Sequence, residues 1–240
     1  MIVDRLLRSK HFGVPKLIRK LVLAPLKGKP SDYTRLNRVL SGYERRLGYA
    51  VNDAAQEIRR LSKDAAAPCL IDCGFNEGVV LSKFADALPG FSIIGYEVQR
   101  QLFDMVSAKM PRWHLVNAAV SNRTGTAELF VCKDFTYNVR GASTILADVL
   151  KENNISDTGT VECVDFLEEL QKVRKQSDFV AVKMDIEGAE YDVMERLLSA
   201  PAPLIDFLIV EFHPKMVERS RHDAVVQRIR DLNLPMIKWY

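Results

Sequence analysis

The stretch Cys69–Gly78, CLIDCGFNEG, decides the reading of the fold. Cys69, Leu70 and Ile71 form a short apolar run that ends in Asp72. Gly74, Asn76 and Gly78 follow at two-residue intervals, and a helical pattern then begins. A buried strand that turns through glycines into a helix is the opening unit of a parallel sheet with crossover helices. Downstream the alternation continues. Strands are predicted at Phe91–Tyr96, Trp113–Val116, Phe179–Met184, Leu204–Phe212 and Met236–Tyr240, and helices at Gly78–Leu88, Gln99–Lys109, Phe166–Arg174, Ala189–Leu198 and Val217–Leu232. The interval from Ala118 to Ser177 is less regular. Thr126–Cys132 alternates as an extra strand, and Val161–Cys163 reads as its partner. The expectation for residues 64–240 is an α/β domain, doubly wound around a mostly parallel, Rossmann-like sheet of about seven strands.

Upstream, residues 1–63 show helical spacing and no strand-like alternation. Val14, Leu17, Ile18, Leu21 and Val22 form an apolar stripe with Lys16, Arg19 and Lys20 interleaved, and Pro25 and Pro30 break it. Two further helices are predicted, at Asp32–Arg46 and Asn52–Leu61. Residues 1–30 carry eight Lys or Arg and one acid, a net +7, whereas the whole chain carries +3. The body is therefore slightly acidic behind a basic helical arm. That distribution differs from the basic face of a nucleic-acid binder, and no nucleic-acid partner is expected. An amphipathic basic helix fits the surface of an anionic membrane first; a lid over the body or the interface of a homodimer are the alternatives.

Composition bounds the rest. The 240 residues are 48% hydrophobic and 27% charged, which excludes a disordered chain, a collagen and a coiled coil. No apolar run approaches the ~18 residues of a membrane span. The four cysteines form no CxxC pair. With no signal-peptide pattern they read as reduced thiols of a cytoplasmic protein.

Four strand ends carry candidate chemistry. Asp72 ends the first strand, and Glu97 ends the next, FSIIGYE, about twenty residues later, the place where nucleotide-binding sheets set an acid against ribose hydroxyls. The fourth strand runs into VAVKMDIEGAEYDVM, with Asp185, Glu187 and Glu190; the fifth, FLIVEFHP, ends in Glu211 and His213. Period 2 puts Asp185 with Glu187, and Glu211 with His213, on common sides of their strands. Glu190 reads as an acid favouring a helix start. A pyrophosphate would be repelled by Asp72 and Glu77, and the G-x-G-x-x-G fingerprint of a nicotinamide enzyme is absent. Acids in this crevice suit a cationic cofactor with an amine and a sulfonium, S-adenosylmethionine.

The pattern from Cys69 onward resembles the FkbM-type methyltransferases, a class I methyltransferase family. The resemblance rests on IDCGFNEG, IGYEVQ, LVNAAVSNRTGTAELFV, VKMDIEGAEYDVM and IVEFHP. Val98 departs from the family's usual proline. The resemblance implies that Asp72, Gly74 and Asn76 hold the methionine part of the cofactor and Glu97 its ribose. It further implies that Asn117 and Ala118 lie near the adenine, with Asp185 and Glu187 facing the methyl-transfer site. It also implies O-methylation of a hydroxyl on a sugar, glycolipid or secondary metabolite. A catalytically degenerate cofactor-binding module acting as sensor or scaffold is the alternative.

A hydroxyl is a weak nucleophile near neutrality, so the transfer calls for a base or a metal. Asp185, Glu187 and His213 are the cluster that supplies either. Metal-free base catalysis is the reading adopted. The polar interval from Phe135 to Gly159, with Ser143 and Thr144, is expected to select the acceptor.

Overall fold

The computed structural model describes residues 30–132, 143–146 and 155–239. The stripe at Val14–Val22 and most of the expected acceptor interval, including Phe135 and Tyr137, lie outside the described residues.

Six strands form one parallel sheet. They are β1 (Pro68–Cys73), β2 (Ser92–Tyr96), β3 (His114–Val116), β8 (Phe179–Met184), β9 (Phe207–Val210) and β10 (Met236–Lys238), in the spatial order β10-β9-β8-β1-β2-β3. The sheet winds outward from β1 through β2 to β3, then resumes at β8 on the other side of β1. The reversal falls between β1 and β8, and ligands of open α/β sheets bind beyond the strand ends at such a point.

Helices cover both faces, and strand alternation decides which residues meet them. Cys69, Ile71, Cys73, Val180, Val182 and Met184 face α4 (Phe166–Arg174), α5 (Glu190–Leu198) and α6 (Arg219–Asp231) in one buried cluster. Leu70, Ile93, Phe179, Ala181, Phe207 and Ile209 face the other way, onto α1 (Pro30–Leu61), α2 (Val79–Ala87) and α3 (Arg100–Ser107).

Two expectations are corrected. The main sheet has six strands among the described residues, not seven. The two extra strands join a separate sheet instead, in the order β4-β7-β5-β6. There β5 (Gly125–Cys132) runs antiparallel to β7 (Ile155–Asp165) and to β6 (Ser143–Thr144), while β4 (Ala119–Ser121) runs parallel to β7. Residues 32–61 form one helix rather than two. A single mid-helix glycine such as Gly48 costs only about 1 kcal/mol, and Leu47, Val51, Ala54, Ala55 and Ile58 bury one continuous face against the sheet. The last part of the segment expected to be an arm thus shares the body's core. Among the described residues no helix is long and apolar enough to cross a membrane.

Candidate active site

The turn after β1 is pinned to β2. Gly74 and Phe75 both donate their backbone N–H to the Tyr96 carbonyl, at 2.9 and 3.2 Å, and Gly78 donates to Phe75 at 2.8 Å. Gly74 (φ 83°), Asn76 (φ 53°) and Gly78 (φ 72°) all take left-handed conformations, which suit glycine and, among the other residues, asparagine best. The turn delivers the Asn76 N–H to Glu97 Oε2 at 2.8 Å, and the Gln99 N–H meets Glu97 Oε1 at 2.8 Å. Both oxygens of this buried carboxylate are therefore oriented by backbone donors.

Beneath the turn, β1 and β8 lie in register with Asp72 opposite Lys183, so both side chains leave the same face. Lys183 Nζ donates to Asp72 Oδ1 at 3.0 Å and lies 4.0 Å from Asp185 Oδ2. Asp72 is 1% exposed and Lys183 2%. Burial pulls the ammonium down, but Asp72 and Asp185 outweigh it and hold Lys183 up at about 12. Burial lifts the Asp72 carboxyl, and Lys183 offsets part of that.

The turn after β8 carries the other acids. Glu187 has φ 54°, left-handed for a residue other than glycine. Glu190, fully buried, accepts the N–H of Ile186 at 2.8 Å and of Gly188 at 2.9 Å. His213 Nδ1 lies 3.1 Å from Glu190 Oε1, and its Nε2 lies 3.3 Å from Glu187 Oε2. Asp185, Glu190 and His213 each bring a ligand-type atom within 4.8 Å of the others. Glu190 also gives its oxygens to two backbone donors and the imidazole.

A cleft holding about 520 Å³ of empty space, open to solvent, lies at the switch point. Its wall includes Gly74, Asn76, Glu97, Ala118, Asp185 and Glu187, all anticipated from the sequence. Three other anticipated residues stand outside the lining. Asp72 is buried on the α1–α3 face with Lys183. Asn117 turns back to donate to the carbonyls of Glu97 and Val98, at 2.8 and 3.1 Å. His213 stands behind Glu187. Sequence reasoning missed Gln99, whose side-chain amide donates to Ser143 Oγ at 3.2 Å across the cleft rim. It also missed Leu129, which brings the second sheet into the wall, whereas Ile145 falls within the interval expected to select the acceptor. Gln99 had a signal, two residues past the acid in IGYEVQ. Leu129 had none.

The acid cluster sets a pH dependence. Burial lowers His213, but its bond to Glu190 and the charges of Glu190, Glu187 and Asp185 prevail and raise it from 6.5 to about 9. Burial, with Asp185, raises Glu211 from 4.5 to about 7. Both groups bind their proton more tightly folded than unfolded. The stability they contribute is therefore complete below the unfolded values. It is lost as pH rises, from 4.5 to 7 for Glu211 and from 6.5 to 9 for His213. The melting temperature is expected to fall across this range, and His213→Gln to flatten the slope above pH 7. Calorimetric melting at stepped pH checks this; a melting temperature that rises between pH 7 and 9 contradicts it.

The sequence matches the Methyltransferase FkbM domain over residues 72–233, and the chain belongs to that family of methyltransferases. Comparison with curated proteins gives no match. Among solved structures, the plantazolicin methyltransferase BpumL in complex with a triazolic desmethylPZN analog and SAH aligns over 89% of this chain and 69% of its own, at 9% identity and TM-score 0.34. Its complex with a monoazolic analog and SAH aligns over 90% and 71%, at 9% identity and TM-score 0.32.

Proposed function

We propose that this chain is an S-adenosylmethionine-dependent methyltransferase acting on a hydroxyl oxygen of a sugar, glycolipid or secondary metabolite. The observation that carries the reading is the placement of Glu97, Asp185 and Glu187 around one cleft at the switch point. A carboxylate held by two backbone N–H groups suits a vicinal diol. Asp185 and Glu187 suit the positive charge of an amine and a sulfonium, and would oppose a pyrophosphate. Val98, Ala118, Leu129 and Ile145 supply the apolar wall that an adenine needs. The donor set therefore fits the cofactor, which when bound supplies an electrophilic methyl group.

The chain's own part is to bind, align and take a proton. In-line displacement needs reacting atoms about 3 Å apart, so alignment supplies much of the rate. Asp185 and Glu187 are the cleft carboxylates within reach of an acceptor hydroxyl, and His213 joins them through Glu187. Ser143, on the opposite rim, offers a hydroxyl to a polar acceptor. The acceptor class is tested by incubating the full chain with methyl-labelled cofactor and separated lipid, glycan and small-molecule extracts. Label is expected in one of these fractions. Label chiefly in protein or nucleic acid contradicts the acceptor class, and cofactor binding without any transfer favours the degenerate module.

A further inference from the structure

We propose that Glu190 is the positioning residue for Glu187, shaping the turn that presents Glu187 to the cleft; this rests on the methyltransferase reading above. An acid in the first turn of a helix is ordinarily a solvated charge favoured by the helix dipole. Glu190 is not solvated: none of it is exposed. A buried carboxylate is costly unless its hydrogen bonds are met, and the partners that meet them belong to one small structure. Its oxygens take the N–H groups of Ile186 and Gly188, the residues on either side of Glu187. Oε1 also meets His213 Nδ1, and the other nitrogen of that ring reaches Glu187 Oε2.

The contacts close a ring. Glu190 grips the backbone on both sides of Glu187, and His213 links Glu190 to the Glu187 carboxylate. The ring holds Glu187 in its left-handed conformation, which side chains of its kind rarely adopt. Glu187 lines the cleft, whereas Glu190 and His213 do not. The charged groups facing His213 are Asp185, Glu187 and Glu190 from the β8–α5 segment and Glu211 from the end of β9, with Lys183 beneath them near Asp185 and Glu211.

In the transfer the acceptor oxygen forms the new C–O bond, the methyl carbon's bond to sulfur breaks with its electron pair staying on sulfur, and the hydroxyl proton passes to the carboxylate that Glu190 holds in place. Glu190 touches none of the reacting atoms. Its loss should lower the rate of transfer far more than it weakens cofactor binding, which Glu97 and Asp185 still anchor.

The test uses the full chain, methyl-labelled S-adenosylmethionine and the extract fraction that the wild-type protein labels. Glu190→Gln keeps the shape, but its amide cannot accept both backbone N–H groups. Its kcat is expected to fall about 100-fold, the scale of a misplaced reacting group, while the KM for S-adenosylmethionine stays within about threefold. In ¹⁵N NMR of the variant, His213 should give up its proton at lower pH than in the wild type. An unchanged kcat overturns the proposal, and so does a loss confined to KM. If Glu190→Gln does not fold, Glu190→Asp is read in its place, since it keeps the charge but is one methylene too short to reach both backbone N–H groups. A comparable fall in its kcat supports the proposal, and an unchanged kcat overturns it. A wild-type protein that labels no fraction is a different failure, that of the methyltransferase reading itself.

Discussion

Lys183→Met is expected to destabilise the protein by about 3–5 kcal/mol, the cost of stranding one member of a buried ion pair. Asp72 and Lys183 are both almost fully buried and meet at 3.0 Å. Among the described residues Asp72 Oδ2 has no hydrogen-bond partner, so removing the ammonium leaves the whole carboxylate uncompensated. The damage lies at the switch point, where Lys183 Nζ also approaches the Gly74 carbonyl at 3.5 Å and Asp185 at 4.0 Å. Asp72→Leu/Lys183→Met removes both charges, and replacing a buried pair by apolar groups of similar volume is often close to neutral. The double variant should therefore recover most of the loss. Urea unfolding followed by circular dichroism measures both. A single variant within 1 kcal/mol of wild type, or a double variant worse than the single, contradicts the assignment.

Gly74→Ala is expected to cost about 3 kcal/mol or more, from two independent sources. Gly74 has φ 83°, which strains any residue with a side chain. A Cβ there would also stand 2.1 Å from the Asp185 carbonyl oxygen, a backbone atom that cannot swing aside. Gly90 isolates the first source, since it has φ 92° and a Cβ there would meet nothing within 4 Å. Gly90→Ala should thus cost clearly less than Gly74→Ala. Gly74→Ala should also displace the turn that brings Asn76 to Glu97, so any folded protein should lose affinity for the cofactor. Equal costs for the two variants would show that the close approach of β1 and β8 is misplaced.

The legibility of this molecule follows from which interactions are local. Phe179–Met184 and Phe166–Arg174 stand where their patterns predict, because a continuous apolar run and a 3.6-residue period are local signals. The second sheet was only half visible. Its β4 strand has three residues, and the partner β7 lies some forty residues downstream. The two upstream helices proved to be one because tertiary burial of Leu47–Ile58 outweighs the helix cost of Gly48.

The site divides in the same way. Glu97, Asp185 and Glu187 were readable, because acids at strand ends must reach the sheet's carboxyl edge. Alternation placed Asp72 on a face, but it could not say that the cleft opens elsewhere, and the register that pairs Asp72 with Lys183 is a non-local fact. Glu190 reads as a helix-start acid in the sequence because the period of a helix says nothing of a side chain that folds back over the preceding turn.

The most direct test of the account is calorimetric titration of the full chain and of Glu97→Ala with S-adenosylhomocysteine, with a nicotinamide dinucleotide as control. The wild-type protein should bind S-adenosylhomocysteine and ignore the dinucleotide. Glu97→Ala should bind at least about 100-fold more weakly, since two hydrogen bonds to a charged group are lost. Binding that survives Glu97→Ala unchanged, or a preference for the dinucleotide, would contradict the assignment of this cleft.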